Sequence, residues 1–475
     1  MVKITNGLFV FHRDFRIVDN VGLIEASKLC ENLYTCFIFT PDQVSKANDY
    51  RSHNAIQFMI ESLEDLEDDI HVKGGKLLIF YGKQSTILKE LVSDLNIDGV
   101  YFNKDYTPYA IKRDTETLEL CKKLEIDCQM YSDYYLYEPG TIQVGKVNGK
   151  EDGVAEQVHA YKKYTPFYDK VHSIAVKTPS LQRVNNLDKT TKSIKNKINL
   201  QYAYEQFTKQ NDEKLVIGGR VEGIKRLKMA ISKQKHYDHD RDYFTYNTTF
   251  LSAYIKFGCV SIREVYNVVK REFGASHGII RELIWREFFA HVLYAYPEVV
   301  GQSYQPRYRG IHWHNSQSQF EKWACGRTGF PIVDASMRQM NTTGYMHNRG
   351  RMTVSSFLVK VLLIDWRKGE KYFAQLLTDY DIASNNGGWQ GSSSTGVDMK
   401  PYFRDMNPWI QSNKFDKDAE FIKKWIPELE GVDAKDIHKW SIMCNDPKYK
   451  NIDYPKPMVD YDEQKKKMLE MYKDA

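Results

Sequence analysis

Seven of the 475 residues are cysteine, and none of the seven forms a CxxC pair or any spacing suited to zinc. That excludes thioredoxin-type and zinc-ribbon chemistry and gives no metal ligand set. The odd count also argues against a disulfide framework, so a reducing, intracellular setting is expected. No apolar run is long enough to span a bilayer. The amino-terminal MVKITNGLFVFHRDF passes straight into a strand-like run without a signal-peptide core. A soluble protein with no membrane role is therefore expected. Net charge is only +5, so any nucleic-acid surface must be a local patch. The phosphate-binding GxGxxG is missing after the first strand-like run, where HRDFRIVDN stands instead. A standard NAD-binding domain is thereby disfavoured.

What the chain does have is aromatic side chains, with 32 Tyr, 23 Phe and 8 Trp, a composition that suits flat ligands or simply core packing. Its length allows two domains. Residues 8–11, 36–39, 77–80 and 100–102 read as short buried strands, and amphipathic helices follow over 54–70 and from Ser85 onward. Strands alternating with such helices predict a doubly wound α/β domain with a parallel sheet, placed at 1–135. Residues 136–200 lose periodicity and gain Lys, Asn, Thr and Gly, as an interdomain linker would. Their KTTKSIKNK run is read as solvated linker rather than as an import signal or a phosphate contact. Residues 201–475 carry helical patterns and predict an all-α second domain.

Residues 345–396 concentrate polar groups in apolar surroundings. The run 352–363 is too apolar for a surface helix and predicts a buried core helix, preceded by Asn348, Arg349 and Arg351 and followed later by Asp379 and Asp381. A buried arginine needs a carboxylate, and an Arg351–Asp379 pair would supply one. Asn385-Asn386-Gly387-Gly388 reads as a turn open to close ligand approach, with Trp389 next. Upstream, Thr248, Thr249 and Ser252 sit near a helix start, where hydroxyls hold a phosphate or merely cap. Glu282, Trp285, Arg286 and Phe289 share one helical face, either a stacking platform for an uncharged heteroaromatic ligand or an ordinary amphipathic surface.

The segments HNRGRM (347–352), LLIDWRKGEKYF (362–373), DYDIASNNGGWQ (379–390), STGVDMKPYFR (394–404) and NPWIQSNKFD (407–416) resemble the photolyase/cryptochrome family, most closely its class I cyclobutane pyrimidine dimer photolyases. The resemblance runs from Leu8 to about Pro457. It implies FAD bound in the helical domain by Tyr237, Thr248, Thr249, Ser252, Arg351, Asp379, Asp381 and Asn385, with Asn385 facing flavin N5. It implies a flipped pyrimidine dimer held by Glu282, Trp285, Asn348 and Met352, and a DNA backbone met by Arg241, Arg349 and Arg404. Trp389, Trp366 and Trp313 match an electron-hopping chain from flavin to surface. The amino-terminal domain would hold an antenna chromophore, a deazaflavin or a folate, although the acidic residue of folate-binding members aligns with Thr107.

The implied function is light-driven repair of UV-damaged DNA by a monomeric lyase, in which excited reduced FAD passes an electron to the dimer and the cyclobutane ring splits. Asn348 and Met352 favour this substrate over the (6-4) product, whose repair enzymes carry a His pair there. Where the family continues Trp-Gln-Trp this chain has Gly391, a lost stacking platform. A cryptochrome-like photoreceptor is the alternative, disfavoured by Asn385 and by the lack of a long carboxy-terminal extension. A light-independent DNA-binding flavoprotein is a third reading.

Overall fold

The computed structural model describes residues 4–144, 159–190, 192, 194–398 and 400–475. Packing divides the chain into two compact units. One comprises residues 1–210, 216–235 and 249–297, and the other 211–215, 236–248 and 298–475.

The first unit is built on a six-stranded sheet in the order β5-β4-β1-β2-β3-β6. Its strands are β1 (Ile4–Phe11), β2 (Cys30–Phe39), β3 (Leu77–Tyr81), β4 (Gly99–Asn103), β5 (Asp127–Tyr131) and β6 (Lys197–Ile198). The first five pair in parallel, and β6 closes one edge antiparallel. Helices α1 (Val21–Leu29), α2 (His53–Val72), α3 (Gln84–Leu95) and α4 (Pro108–Lys123) make the crossovers. Continuous apolar strands result because both sheet faces are covered. Leu8, Val10, Cys36, Ile38, Phe80 and Phe102 pack with Ile87, Leu88, Leu91 and Leu95 of α3. The alternate residues Phe9, Phe11, Phe37 and Phe39 form edge-to-face pairs at 4.9 Å on the opposite face. The expected strands thus all form. Within the stretch expected as linker, residues 164–172 form helix α5 (Tyr164–His172) and residues 197–198 form β6. The reading of KTTKSIKNK falls partly on Thr191 and Ser193, outside the described residues. The 18-residue helix α6 (Gly278–Ala295) also belongs to this unit.

The second unit is helical, with α7 (Pro331–Thr343), α8 (Asn348–Lys360), α9 (Trp366–Leu376), α10 (Ile382–Ser392) and α11 (Pro408–Phe415) around one apolar core. Helix α8 is the expected core helix, entered four residues earlier than its apolar run because His347 caps it, its Nδ1 accepting from Arg349 N at 3.2 Å. The expected turn at 385–388 is not a turn. Those residues lie inside α10. Asp381 caps that helix by accepting from Ser384 N at 3.0 Å. Asn386 Nδ2 and Gln390 Nε2 both donate to the Val299 carbonyl, at 2.9 and 3.0 Å. These tertiary bonds offset glycine's cost within a helix, about 1 kcal/mol each relative to alanine. Among the described residues no helix is long and apolar enough to cross a membrane, and no His/Cys/Asp/Glu group could hold a metal.

Candidate functional site

In the second unit the expected ion pair is present: Arg351 Nη2 donates to Asp379 Oδ2 and Oδ1 at 2.9 and 3.1 Å. Helix α8 delivers the arginine, and Arg351 Nε is pinned to the Met346 carbonyl at 2.9 Å. Tyr345 lies beneath the guanidinium, its ring centre 5.4 Å from Cζ. The Tyr345 hydroxyl reaches Thr248 Oγ1 at 3.5 Å. Arg351, Asp379, Tyr345 and Thr248 therefore form one connected polar group.

Asn385, on the first turn of α10, donates from Nδ2 to the backbone carbonyl and to Oε1 of Glu370, at 3.2 and 3.1 Å. Both Glu370 oxygens are acceptors, which fixes the amide's orientation from its partners. The amide carbonyl is then the end left to accept an N–H from a ligand. Glu370 is 5% exposed. It escaped the sequence reading, although a carboxylate in register with buried Trp366 and Phe373 on α9 is a signal that could have found it.

The three tryptophans differ in exposure. Trp389 and Trp366 are buried, and Trp313 is half-buried. Trp389 contacts Phe373 at 4.9 Å and Trp323 at 6.2 Å between ring centres. A Cβ at Gly369 would collide with its ring, so that glycine of α9 is what admits the indole. Trp389 Nε1 is buried without a hydrogen-bond partner among the described residues.

At the start of α8, Asn348 and Met352 are exposed one turn apart, Asn348 Nδ2 lying 3.8 Å from Met352 Sδ. Arg349 is drawn inward. It pairs with Asp242 at 2.5 Å, donates to Gln411 Oε1 at 3.0 Å and sits 4.0 Å over the Phe415 ring. Arg404 is exposed, while its carbonyl accepts from the buried Lys360 Nζ at 2.6 Å. Arg241 lies 5.7 Å over Tyr237. His347 is pushed down to about 4 by burial, with Arg349 and Arg351 adding to that and Asp242 opposing it. It is uncharged at neutral pH, so no imidazolium stands here to give up a proton.

The remaining positions lie in the first unit. Thr249 Oγ1 accepts from Leu251 N at 3.3 Å, and Ser252 opens the short helix Ser252–Lys256. Glu282, Trp285, Arg286 and Phe289 are all half-buried on α6, as their spacing predicts. Arg286 turns toward Tyr135, 4.3 Å from the ring centre, and to Glu287 at 3.2 Å. At the carboxyl end of β1, His12 is buried, and its Nε2 has no partner among the described residues. Burial and Arg113 hold it well below the usual histidine range. Thr107 caps α4, accepting from Ala110 N at 3.2 Å.

A parallel-sheet unit and a helical unit, the latter with a half-buried ion pair, an oriented amide and buried indoles, suit a protein that holds a flat, polar cofactor. Residues 279–474 match the family model described as the FAD binding domain of DNA photolyase, and residues 8–184 match that of DNA photolyase. Deoxyribodipyrimidine photo-lyases of Synechococcus sp. and Alkalihalophilus pseudofirmus are 32% and 34% identical, over 98% of this chain and 96% and 97% of theirs. An archaeal photolyase from Sulfolobus tokodaii, solved with two FAD molecules, superposes with a TM-score of 0.86 at 36% identity, covering 99% of this chain and 100% of that one. A class III photolyase from Agrobacterium tumefaciens gives 0.89 at 28% identity, covering 100% and 98%. The chain belongs to the photolyase/cryptochrome family.

Proposed function

We propose that this protein is a light-dependent lyase that splits cyclobutane pyrimidine dimers in UV-damaged DNA. Relatives across its whole length bear that enzyme's name. Within the chain the reading is carried by Asn385, whose amide presents a carbonyl acceptor. Reduced flavin carries a proton on N5 and offers it as a donor, so the oriented amide suits the reduced form that repair requires. The donor set of the ion pair, the amide and the hydroxyls fits FAD.

FAD, when bound, supplies the photochemistry, absorbing light in its reduced form and passing an electron to the dimer. Arg351 and Asp379 hold the cofactor's polar groups as a pre-formed pair, with Asp381 beside them. Tyr237, Thr248, Thr249 and Ser252 supply hydroxyls to its phosphates. In the first unit Glu282 accepts from a thymine N–H and Trp285 stacks, and in the second Asn348 and Met352 serve as dimer contacts. Extruding the dimer costs a few kcal/mol, less than for an intact pair. Arg241, Arg349 and Arg404 contribute a salt-dependent backbone term, with Arg404 the more accessible to phosphate and Arg349 partly neutralised by its pair with Asp242. Trp389, Trp366 and Trp313 would supply oxidisable rings for charge to pass between the helical unit's interior and its surface. The buried His12, whose Nε2 has no partner among the described residues, supports an antenna chromophore at the carboxyl edge of the sheet. With Thr107 engaged as a helix cap, a deazaflavin suits that site better than a folate. The protein acts as a soluble monomer.

The test uses two short DNA duplexes, one with a cyclobutane thymine dimer and one with a (6-4) product, and chemically reduced protein in blue light and in darkness. Light-dependent repair of the first alone is expected. Reduced FAD with neither lesion repaired would make the photoreceptor reading the leading one.

A further inference from the structure

Half-exposed indoles seldom hold a single orientation unless something grips them, and Trp285 is gripped by a residue outside every motif noted above. Tyr164, at the first position of α5, lies face to face with Trp285, with ring centres 3.7 Å apart and planes 4° from parallel. The Tyr164 hydroxyl donates to the Arg281 carbonyl at 2.9 Å. Arg281 and Trp285 are one turn apart on α6, so ring and hydroxyl hold that helix at two successive levels. Phe288, fully buried, stands edge-on to both rings, 5.6 Å from Trp285 and 6.0 Å from Tyr164. One face of the indole is therefore occupied and one edge is wedged. The face under Tyr164 is closed to a flat ligand, and Phe289, one turn further along α6, also stands against the indole at 5.5 Å and 30°.

We propose that Tyr164 is a positioning residue for dimer recognition. It holds the Trp285 indole in the plane that receives the flipped bases, and so removes the cost of ordering that side chain when DNA binds. The proposal rests on the reading of Trp285 as a dimer contact. An aromatic partner already stacked before binding converts directly into affinity, because less rotamer freedom is lost at the encounter. The stack of Tyr164 on α5 against Trp285 on α6 then contributes to the discrimination between damaged and intact DNA.

The experiment is a double-mutant cycle on the flavin-loaded, full-length protein, with Tyr164→Leu, Trp285→Leu, both together, and Tyr164→Phe. Dissociation constants for a dimer-containing and an undamaged oligonucleotide are measured at one salt concentration, with flavin content recorded for each variant. Tyr164→Leu is expected to weaken dimer binding about two- to twelvefold, the worth of an aromatic pair beyond its buried area. Undamaged DNA and flavin content should not change. In the Trp285→Leu background the same substitution should cost nothing further, and Tyr164→Phe, which keeps the stack, should stay within about twofold of the parent. Equal losses with and without Trp285, or parallel losses on both DNAs, would overturn the proposal. So would a Tyr164→Phe protein as weak as a Trp285→Leu one, a comparison that holds even where Tyr164→Leu folds poorly. A Trp285→Leu protein with undiminished dimer affinity instead refutes the underlying role of Trp285, and is told apart by that single variant.

Discussion

Replacing Gly391 with tryptophan should restore a missing contact rather than disturb a packed one. A Cβ built at Gly391 meets nothing within 4 Å, and its backbone is ordinary α-helix, the next-to-last residue of α10. The substitution therefore causes no strain at its root, and it removes part of glycine's penalty of about 1 kcal/mol in a helix. Base–aromatic stacking is worth about 1–3 kcal/mol per base. That range corresponds to about five- to 150-fold in dissociation constant. The assay is a fluorescence titration of a dimer-containing duplex and its undamaged twin at fixed ionic strength, with Gly391→Ala as the control for helix propensity. Selective tightening on the dimer alone is expected. Unchanged dimer affinity, or equal tightening on both duplexes, would refute the idea that this position faces the lesion without a ring.

Asp379→Asn leaves Arg351 without its charge partner and should lower flavin retention about tenfold or more, read as flavin absorbance per protein after gel filtration. Asn385→Asp sets a carboxylate against Glu370 where an N–H donor stood, so light-dependent repair should fall at least about tenfold while dimer binding persists. Trp366→Phe should slow flavin photoreduction without altering repair by chemically reduced protein, and an unchanged photoreduction rate would remove Trp366 from the relay. His347→Asn keeps a good helix cap and removes a titrating group. The folded pKa of His347, about 4, lies below the unfolded value of 6.5, so the unfolded chain takes up a proton first as pH falls. The parent protein should thus lose up to about 3 kcal/mol relative to the variant between pH 7 and pH 4, seen in paired urea melts.

Strands β1 to β4 were legible because sheet-buried strands are continuous apolar runs. β5 reads DCQMY and is half-exposed along its length, so hydrophobicity does not mark it, and the two-residue β6 carries no pattern at all. The Arg351–Asp379 pair could be foreseen from the cost of burying a lone guanidinium. Neither Glu370 nor Tyr164 could be matched to its partner that way, because neither Asn385 nor Trp285 carries a charge that burial obliges to find a partner, and only the fold brings them together. The Asn-Asn-Gly-Gly run misled for a different reason. Glycine signals a turn when local preference decides, and here the carbonyl of Val299 decides.

That last point bears on how α10 behaves in time. Three of its eleven residues are glycine, and they lie beside the amide and the indole on which the chemistry depends. A segment with so little intrinsic helicity is ordered by what surrounds it, chiefly the Asp381 cap and the two amides on Val299. Its local unfolding free energy should sit well below that of α8, and its amide protons should exchange with solvent ahead of those in the neighbouring core. Any molecule that seats against Asn385 then also completes the folding of this helix, and affinity at that position is measured partly in the protection it confers on the backbone.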